Sequence, residues 1–507
     1  MIRPLRRAAV WLCLISALAA AESAWVRVGA DGRLTYRGDE RGNTIPDFSR
    51  AGYGGGGVRL PAAAVAITLA PQVAGDDGER IQAALDQASG RGAVLLQRGT
   101  YRVAGTLKIR GSGVVLRGEG AGEDGTVILA TGKTQRTLIE VGAEGARREE
   151  VPGTRRAIMD VYVPWSAKVF TVQSTDGLRA GDRIVVHRPA TPEWIRELGM
   201  DRIRNRPGAP AGETRQWSAA GFSMEFERTI TAIAGSRVML DAPVMQAIDA
   251  NFGGGAIYRH TFPRIVGCGV ERLRLVSEYE KGRETSDEEH AWIGIELGAV
   301  ENAWVRDVTA VHFSHAVQTD RGAIFTTVQD CAHLEPVSQI TGSRRYSFHL
   351  QGHYGLVLRC TARGSRHAFV TGSRVPGPNV FLDGTATGSH SDSGPHHRWA
   401  VGTLYDNIAD DRQLRVQDRQ WAGSGHGWAG AQQVLWNCTS PILVVQQPPT
   451  AQNWAIGCVG KFVAGDYSPN APRGIMEATG APVTPRSLYL TQLAQRLGPA
   501  ALESLRK

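Results

Sequence analysis

A short motif recurs along the C-terminal half of the chain, and its spacing restricts the fold more than any other feature. Each copy has an apolar residue, a variable residue, a polar corner residue and then a small or apolar residue. The corner residues are Asp307, Asp330, Arg359, Asp383, Asn407, Asn437 and Gly457. Successive corners are 20 to 30 residues apart, a period typical of repeats that bury their apolar side chains only by stacking. The spacing therefore predicts a solenoid.

The residues around each corner favour strands over helices. Val, Phe, Tyr and Trp dominate the short apolar runs, and no 3.6-residue periodicity persists. Asn, Asp and Gly tolerate the left-handed backbone of a tight bend, so only Arg359 fits the corner poorly. Stacked coils with parallel sheets along their faces form a parallel β-helix, and we predict this all-β fold.

Histidine recurs just before the apolar run in five of these repeats. The five residues are His315, His349, His367, His397 and His426. Because neighbouring coils of such a solenoid lie about 4.8 Å apart, we expect the five side chains to form one column along an edge.

The first 21 residues resemble a secretory signal peptide. Arg3, Arg6 and Arg7 form a basic start, residues 8–18 an apolar centre, and residues 19–21 a small-residue cleavage site. The apolar run is too short for a good membrane span, so we expect a secreted or periplasmic protein without a membrane or nucleic-acid partner, and a monomer. Removing the segment lowers the formal charge of +8 by three, and the remaining positive charge is compatible with an acidic polymer as partner.

Cysteine usage argues against a disulfide framework. Of six cysteines, Cys13 belongs to the signal segment, which leaves an odd number. Cys331, Cys360, Cys438 and Cys458 all directly follow a corner, where we expect a ladder of buried free thiols. A disulfide between adjacent coils and a metal site are the alternatives.

Residues 76–128 carry a family resemblance. Asp76 and Asp77 offer an N-cap to a short amphipathic helix over 79–86, and the strands 93–103 and 114–120 follow, the first containing Gly-Thr-Tyr. This arrangement resembles the start of the pectate-lyase-like, single-stranded right-handed β-helix superfamily. The resemblance implies a right-handed parallel β-helix. It does not imply one reaction, because lyases, hydrolases, epimerases and phage tailspikes share the fold.

We divide the remaining chain by this pattern. Residues 22–75 are irregular and Gly-rich, and 76–177 hold the N-terminal cap and the first coils. An antiparallel β subdomain is inserted at 178–247, where the coil pattern lapses. The main coils occupy 248–480, and 481–507 form a C-terminal helical cap with an amphipathic helix over 488–497, expected to cover the last sheet edge.

The loop 388–399 and its neighbouring coils carry the candidate chemistry. Cleaving an acidic polysaccharide by β-elimination needs donors for the uronate carboxylate, a base for the C5 proton and an acid for the leaving oxygen, and arginine and histidine can fill all three roles. We predict a polysaccharide lyase with no organic cofactor. The predicted catalytic residues are Arg366 and Arg398 as donors, with His367, His390, His397 and His426 as base and acid. The predicted substrate-binding residues are His396, Asp392 and two exposed aromatic side chains, Trp399 and Trp428. His315 and His349 are predicted to be structural or peripheral.

Two other functions remain open. Asp410, Asp411 and the Gly425–Gly427 segment partly match polygalacturonase-like hydrolases, although the other motifs of that family are missing. A non-catalytic glycan-binding solenoid is the second. The histidines with Asp392 offer a zinc site, whereas calcium, common among pectate lyases of this fold, would need a carboxylate cluster that 360–430 lacks.

Overall fold

Every corner residue of the repeat adopts the left-handed backbone conformation, and this bend shapes the coils. The computed structural model describes residues 21–210 and 212–506, so the predicted signal peptide lies outside the described residues except for Ala21. The seven corners have φ between +50° and +69°. At Arg359, the residue with the least suitable side chain, the guanidinium donates to both carboxylate oxygens of Asp330 at 2.8 and 2.9 Å and to the carbonyl of Leu505 at 2.7 Å. These contacts offset the strain of a positive φ at that position.

Parallel strands flank the corners on both sides, which confirms the parallel β-helix. Strands in the column before the corner are Val65–Leu69, Gly92–Leu96, Val114–Arg117, Ile324–Gln329, Leu356–Leu358, Asn379–Leu382, Thr403–Asp406, Val434–Trp436, Trp454–Ile456 and Ile475–Glu477. Strands in the column after it are Gly99–Val103, Thr126–Ala130, Ala332–Leu334, Thr361–Arg363, Thr385–Thr387, Ala409–Asp410, Gln413–Val416, Thr439–Val445 and Val459–Phe462. Two long strands, Gly269–Ser277 and Val300–Val311, run through both columns, and Ile265–Val266 pairs with the second.

A third face, here called the cleft sheet, has seven parallel strands. They are Leu107–Ile109, Arg136–Val141, Ala291–Leu297, His315–Thr319, Tyr346–Leu350, His367–Thr371 and Gly394–Pro395. Alternate apolar side chains of all three faces, such as Leu297, Phe348 and Phe369, meet in one continuous core inside the coils. Cys331, Cys360, Cys438 and Cys458 are buried in that core as free thiols, as predicted, and Cys268 is buried there as well.

An antiparallel unit leaves the coils and packs back on them. Its sheet runs wider than the expected 178–247. The strands are Glu149–Glu150, Arg156–Ala157, Val169–Thr171, Arg183–Arg188, Met224–Ala234, Arg237–Leu240 and Ala256–Thr261. The helices Pro192–Glu197, Ala219–Gly221 and Ala250–Phe252 and a strand pair of Tyr162–Val163 with Ile248–Asp249 complete the unit. Its apolar core includes Trp399 and Trp428 of the coils, so the unit is fixed beside the cleft sheet.

Both ends of the chain differ from the predicted layout. Within the nominally irregular 22–75, Val26–Val28 pairs with Leu34–Tyr36, Tyr53–Gly55 forms a short 3-10 helix, and Val65–Leu69 already belongs to the first coil. The N-terminal helix is Gly78–Gln87, and its buried face covers the first coils.

The C-terminal helix is Leu488–Leu497, as predicted, and the 3-10 helix Pro499–Leu505 follows. This segment packs along the outside of the coils beside the corner column, with Tyr489 and Leu493 against Leu404 and Val434. Asp406 accepts hydrogen bonds from the Ser487 hydroxyl and the Tyr489 amide. The remaining strand pairs are Ala21–Glu22 with Val483–Thr484 and Ala400–Val401 with Gly430–Ala431. No helix in the described part of the chain has the length and apolar character needed to span a membrane.

Candidate active site

A cleft of about 740 Å³ opens on the outer face of the cleft sheet. Histidine, arginine and aromatic side chains dominate its lining, and none of its described lining residues is Asp or Glu. The titratable and aromatic lining residues are Arg206, His315, Tyr346, His349, Arg366, His396, His397, Arg398, Arg419, Trp421, His426 and Tyr467. The sequence-predicted cluster is therefore largely brought together in one open site.

Strand register corrects the expected single column of histidines. His315 pairs with Tyr346, and Tyr346 pairs with His367 in the next coil. His349 lies three residues further along its strand and aligns with Gln318 and Val370 instead. The register shift arises because the coil that carries Tyr346 has a longer loop between its corner, Asp330, and the cleft strand.

Tyr346 is the centre of the cluster, and sequence reasoning missed it. Its ring centroid lies 5.1 to 5.3 Å from those of His315, His349, His367 and His396. The Tyr346 hydroxyl is 3.1 Å from Nε2 of His396. Burial raises the pKa of Tyr346, although Arg366 and Arg419 act against the rise. At neutral pH the phenol is therefore protonated and can serve as a proton donor.

His367 lies behind the cleft wall instead of in the open cleft. It is 1% exposed, and its Nδ1 is 2.6 Å from the backbone carbonyl of Asp392. Because a carbonyl only accepts, Nδ1 carries the proton and Nε2 bears the lone pair, with no hydrogen-bond partner in the structure. The ring lies 4.5 Å from that of His396. His367 therefore supports Tyr346 and His396 from beneath.

Asp392 is an internal counter-ion, whereas the sequence predicted that it binds substrate. Its carboxylate accepts from Arg419 at 2.9 Å and from the Ser391 hydroxyl at 2.9 Å, and it is buried. Burial opposes ionisation, but Arg419 and His367 hold the pKa of Asp392 well below its usual range. The negative charge of Asp392 is thus compensated inside the protein by Arg419.

His396, His397 and His426 form a triangle of imidazoles in the cleft. Their ring centroids are 5.0 to 5.2 Å apart. Burial, followed by Arg398, lowers the pKa of His397 to about 3, and burial, followed by His397, lowers that of His426 to about 2. Burial and Arg419 likewise lower the pKa of His396. All three imidazoles are therefore neutral at neutral pH and carry a lone pair, and the lowered pKa makes each of them a weak base in the free protein.

Two cleft arginines have no carboxylate partner among the described residues. Arg366 has a buried Nη1 without any hydrogen-bond partner. Arg398 donates to the hydroxyl and carbonyl of Ser424, at 2.6 and 3.4 Å, and to the carbonyl of Gly425. Both guanidinium groups line the cleft, where they could contact an anion, and their role as carboxylate donors stays a prediction.

Besides His367 and Asp392, three further predicted site residues lie outside the cleft. His390 follows the register expected beside Arg366, but its side chain is exposed outside the cleft. Trp399 and Trp428 are buried, with 0% and 5% exposure, because the antiparallel unit covers them: Trp399 packs on Trp194, and Trp428 donates to the carbonyl of Leu198. The prediction of exposed faces on these two tryptophans was wrong.

The half-buried aromatic residues of the cleft are instead Trp421 and Tyr467, in edge contact at 5.0 Å. Sequence reasoning missed both. Trp421 closely precedes His426 in the longest loop between coils, a position that offers a weak signal for a rim residue.

The alternative of a zinc site formed by the histidines with Asp392 does not fit this geometry. Within residues 21–210 and 212–506 no group of three or more His, Cys, Asp or Glu side chains is arranged to hold a metal ion. Asp392, the proposed fourth ligand, is already bound by Arg419 and Ser391. We therefore derive no metal-dependent step.

The fold and the cleft together define a β-helix protein with an arginine- and histidine-lined site on one sheet. No protein-family model matches the chain, and a search of curated proteins found no match. Among solved structures, the tailspike protein of Pseudomonas phage LKA1 is similar over 78% of this chain and 58% of its own, at 16% identity and a TM-score of 0.47. The tailspike of Acinetobacter baumannii bacteriophage AP22, solved in complex with A. baumannii capsular saccharide, is similar over 80% and 63%, at 11% identity and a TM-score of 0.38.

This chain spans less than two-thirds of the length of those tailspikes. Because these identities and TM-scores are low, the strand pairing within this chain, and not the similarity to tailspikes, establishes the parallel β-helix. The more specific resemblance to the pectate-lyase-like superfamily stays a prediction.

Proposed function

We propose that this protein is a polysaccharide lyase that cleaves a uronic-acid-containing glycan by β-elimination. One observation carries the proposal: the cleft joins two unpaired arginines to a tyrosine and neutral histidines, with no carboxylate among its described lining residues. Arginine recognises a carboxylate with paired charge-assisted hydrogen bonds. A positive cleft that lacks acids suits an anionic sugar.

The same lining argues against the hydrolase alternative. Inverting and retaining hydrolases place two carboxyl groups across the scissile bond. The acids nearest in sequence are committed elsewhere: Asp392 to Arg419, and Asp410 to the Ser393 hydroxyl at 2.7 Å. Burial raises the pKa of Asp410 to about 6, but its side chain does not line the cleft. The required carboxyl pair has no counterpart in the described cleft.

Arg366 and Arg398 would bind the uronate carboxylate in the elimination. Their positive charges withdraw electron density from C5, which makes its proton more acidic and stabilises the enolate-like charge that develops on the carboxylate. The base removes the C5 proton, a double bond forms between C4 and C5, the C4–O bond breaks, and the leaving oxygen takes a proton from the acid. No oxidant, reductant or water is consumed.

His397 or His426 would act as the base. Each is half-buried and neutral in the free protein, and each has a buried Nδ1 without a partner. Burial and then Arg398 depress the pKa of His397, so a bound carboxylate that neutralises Arg398 raises the basicity of this imidazole at the moment it is needed.

Tyr346 would act as the acid. Its protonated phenol reaches His396 Nε2 at 3.1 Å, and His396 packs on both His397 and His426. The base and the acid are thereby linked through one imidazole, which offers a route for returning the proton after turnover. Trp421 and Tyr467 offer aromatic faces for a sugar ring at the rim.

A screen of purified protein against acidic polysaccharides tests the proposal. We expect new reducing ends together with the ultraviolet absorbance of a C4–C5 unsaturated uronate. His397→Ala and His426→Ala should each abolish that absorbance without changing the melting temperature. New reducing ends without the chromophore would support a hydrolase instead, and binding without new ends would support a glycan-binding solenoid. A secreted or periplasmic location and a monomeric state remain part of the proposal, on the sequence alone.

A further inference from the structure

A second cavity, of about 130 Å³, lies where the antiparallel unit meets the carboxyl ends of the cleft-sheet strands. Its charged and polar lining includes Arg148, Glu225, Arg321, Gln351, His353 and Arg374. Gln351 lines both this cavity and the candidate cleft. The two spaces are therefore neighbours on one face of the protein, and one extended ligand can reach both.

The small cavity carries uncompensated positive charge. Glu225 is neutralised by Arg148 at 2.6 Å and also accepts from the Tyr258 hydroxyl at 2.9 Å. Arg321 donates only to the Ser373 carbonyl, and Arg374 only to the Gly221 carbonyl and the Ser373 hydroxyl. Neither has a carboxylate partner among the described residues. Arg321 and Arg374 line the same cavity, and burial, Arg321 and Arg398 all lower the pKa of Arg374.

His353 supplies an independent sign of a ligand. It is 2% exposed and lines the cavity, yet neither ring nitrogen has a hydrogen-bond partner within the described part of the chain. Buried polar groups in folded proteins are nearly always satisfied. A polar group placed between His353 and the two arginines would satisfy the imidazole and reduce the repulsion between the guanidinium groups.

The cavity has room for one charged group of a ligand. Its volume of about 130 Å³ accommodates a carboxylate or sulfate group together with water. Gln351 lies five residues along the strand from Tyr346, which is roughly 16 Å at about 3.3 Å per residue. A monosaccharide held at Tyr346 does not span that distance, whereas an oligosaccharide does.

We propose that the small cavity is a subsite for the anionic substituent of a second sugar residue, bound by Arg321 and Arg374 with Gln351 and His353. The identity of the polymer rests on the proposed function, but the anion site does not. A carboxylate and a sulfate ester share the required chemistry, and the experiment separates them.

Calorimetric titration of the full chain tests the subsite. The probes are short and long oligomers of galacturonate and alginate, heparin oligosaccharides, and inorganic sulfate. Arg321→Glu should weaken binding of a long oligomer about tenfold or more, as expected for loss of a charge-assisted contact, and leave a short one unchanged. Stronger loss with uronate oligomers assigns a carboxylate, and stronger loss with heparin assigns a sulfate ester.

Two further variants separate the outcomes. Arg374→Ala tests the second arginine of the subsite. Arg237 is an exposed arginine on the same antiparallel unit but outside both cavities, so Arg237→Ala should bind like the parent. Equal affinity of the parent, Arg321→Glu and Arg374→Ala for long oligomers would overturn the subsite, as would binding of inorganic sulfate alone or of no probe. Arginine-dependent binding without any unsaturated product would instead reject the lyase and retain the subsite.

Discussion

Two halves of the cleft sheet place opposite chemistry at the same structural positions. One register column runs through Glu140, Glu296, Gln318 and His349, from the N-terminal coils to the C-terminal ones. The early members line a cavity of about 560 Å³ together with Glu144 and Asp320, and the late ones line the histidine cleft. The backbone is the same at both ends, so side-chain choice alone places four carboxyl groups at one end, where Lys108 and Arg110 contact Glu140 and Glu144, and none among the described lining residues of the other.

The difference teaches how such a face can orient a charged polymer. An anionic polymer on such a face would meet carboxyl groups at one end and arginines without carboxylate partners at the other. Because Arg148 and Arg321 also line the carboxyl-rich cavity, the preference for the histidine cleft would be a matter of degree. The pKa values of the carboxyl groups also shift in opposite directions at the two ends. Arg419 keeps Asp392 ionised, whereas burial and then the neighbouring Asp320 raise the pKa of Glu296.

The Tyr346→Phe substitution changes the arginine- and histidine-lined end of the cleft sheet and should have the largest effect on activity. Removing the proton donor should lower kcat about 10²- to 10⁴-fold, the usual contribution of general acid–base catalysis, while oligomer affinity stays near that of the parent because the arginines remain. Steady-state kinetics with the substrate found by screening measures this. Tyr467→Phe at the rim is the matched control and should retain kcat. Equal kcat in the two variants would remove Tyr346 from the mechanism.

Asp392→Asn tests the buried charge pair of the positive end. Arg419 would lose its partner inside the protein, and breaking a buried pair typically costs about 3–5 kcal/mol of folding free energy. Because the folded-state pKa of Asp392 is lowered, this contribution is present above the unfolded pKa of about 3.9 and is lost as the pH falls through the folded value. Chemical denaturation should show the deficit at neutral pH and a smaller one in acid.

The exposed Asp176→Asn variant is the control for that measurement and should match the parent. A stable Asp392→Asn protein at neutral pH would show that Arg419 does not need its counter-ion.

The corners could be predicted because the signal is local. Six of the seven corner residues with positive φ are Asn, Asp or Gly, and Arg359 could be placed by spacing. His315 and His367 also follow their corners by the same eight residues. Tyr346 follows its corner by sixteen, so the longer loop hid its alignment with the two histidines. Aligning coils by the corner while allowing for that loop would have found it.

The burial of Trp399 and Trp428 could not be read from the sequence. Both lie near the histidines along the chain, but the residues that cover them come from the antiparallel unit, some 200 residues earlier. Contacts between segments so far apart depend on how the unit folds back on the coils. The same packing creates the small cavity around His353, which no motif indicated.

Glu296→Gln and Asp320→Asn probe the acidic end and should have the smallest effect. Removing either half-buried charge should strengthen binding of a long anionic oligomer because it removes a repulsive group. The gain should be only severalfold, because salt partly screens charges at this range. The gain should disappear at high ionic strength. Since burial raises the pKa of both groups, each becomes charged only as the pH rises through its raised value, so the gain should grow with pH.

Glu40 is an exposed acid outside the strands of the cleft sheet, so the control variant Glu40→Gln should bind like the parent. Identical affinities in all three variants would mean that a bound glycan does not extend to the acidic end, and the polarity of the face would then have no part in orienting the glycan.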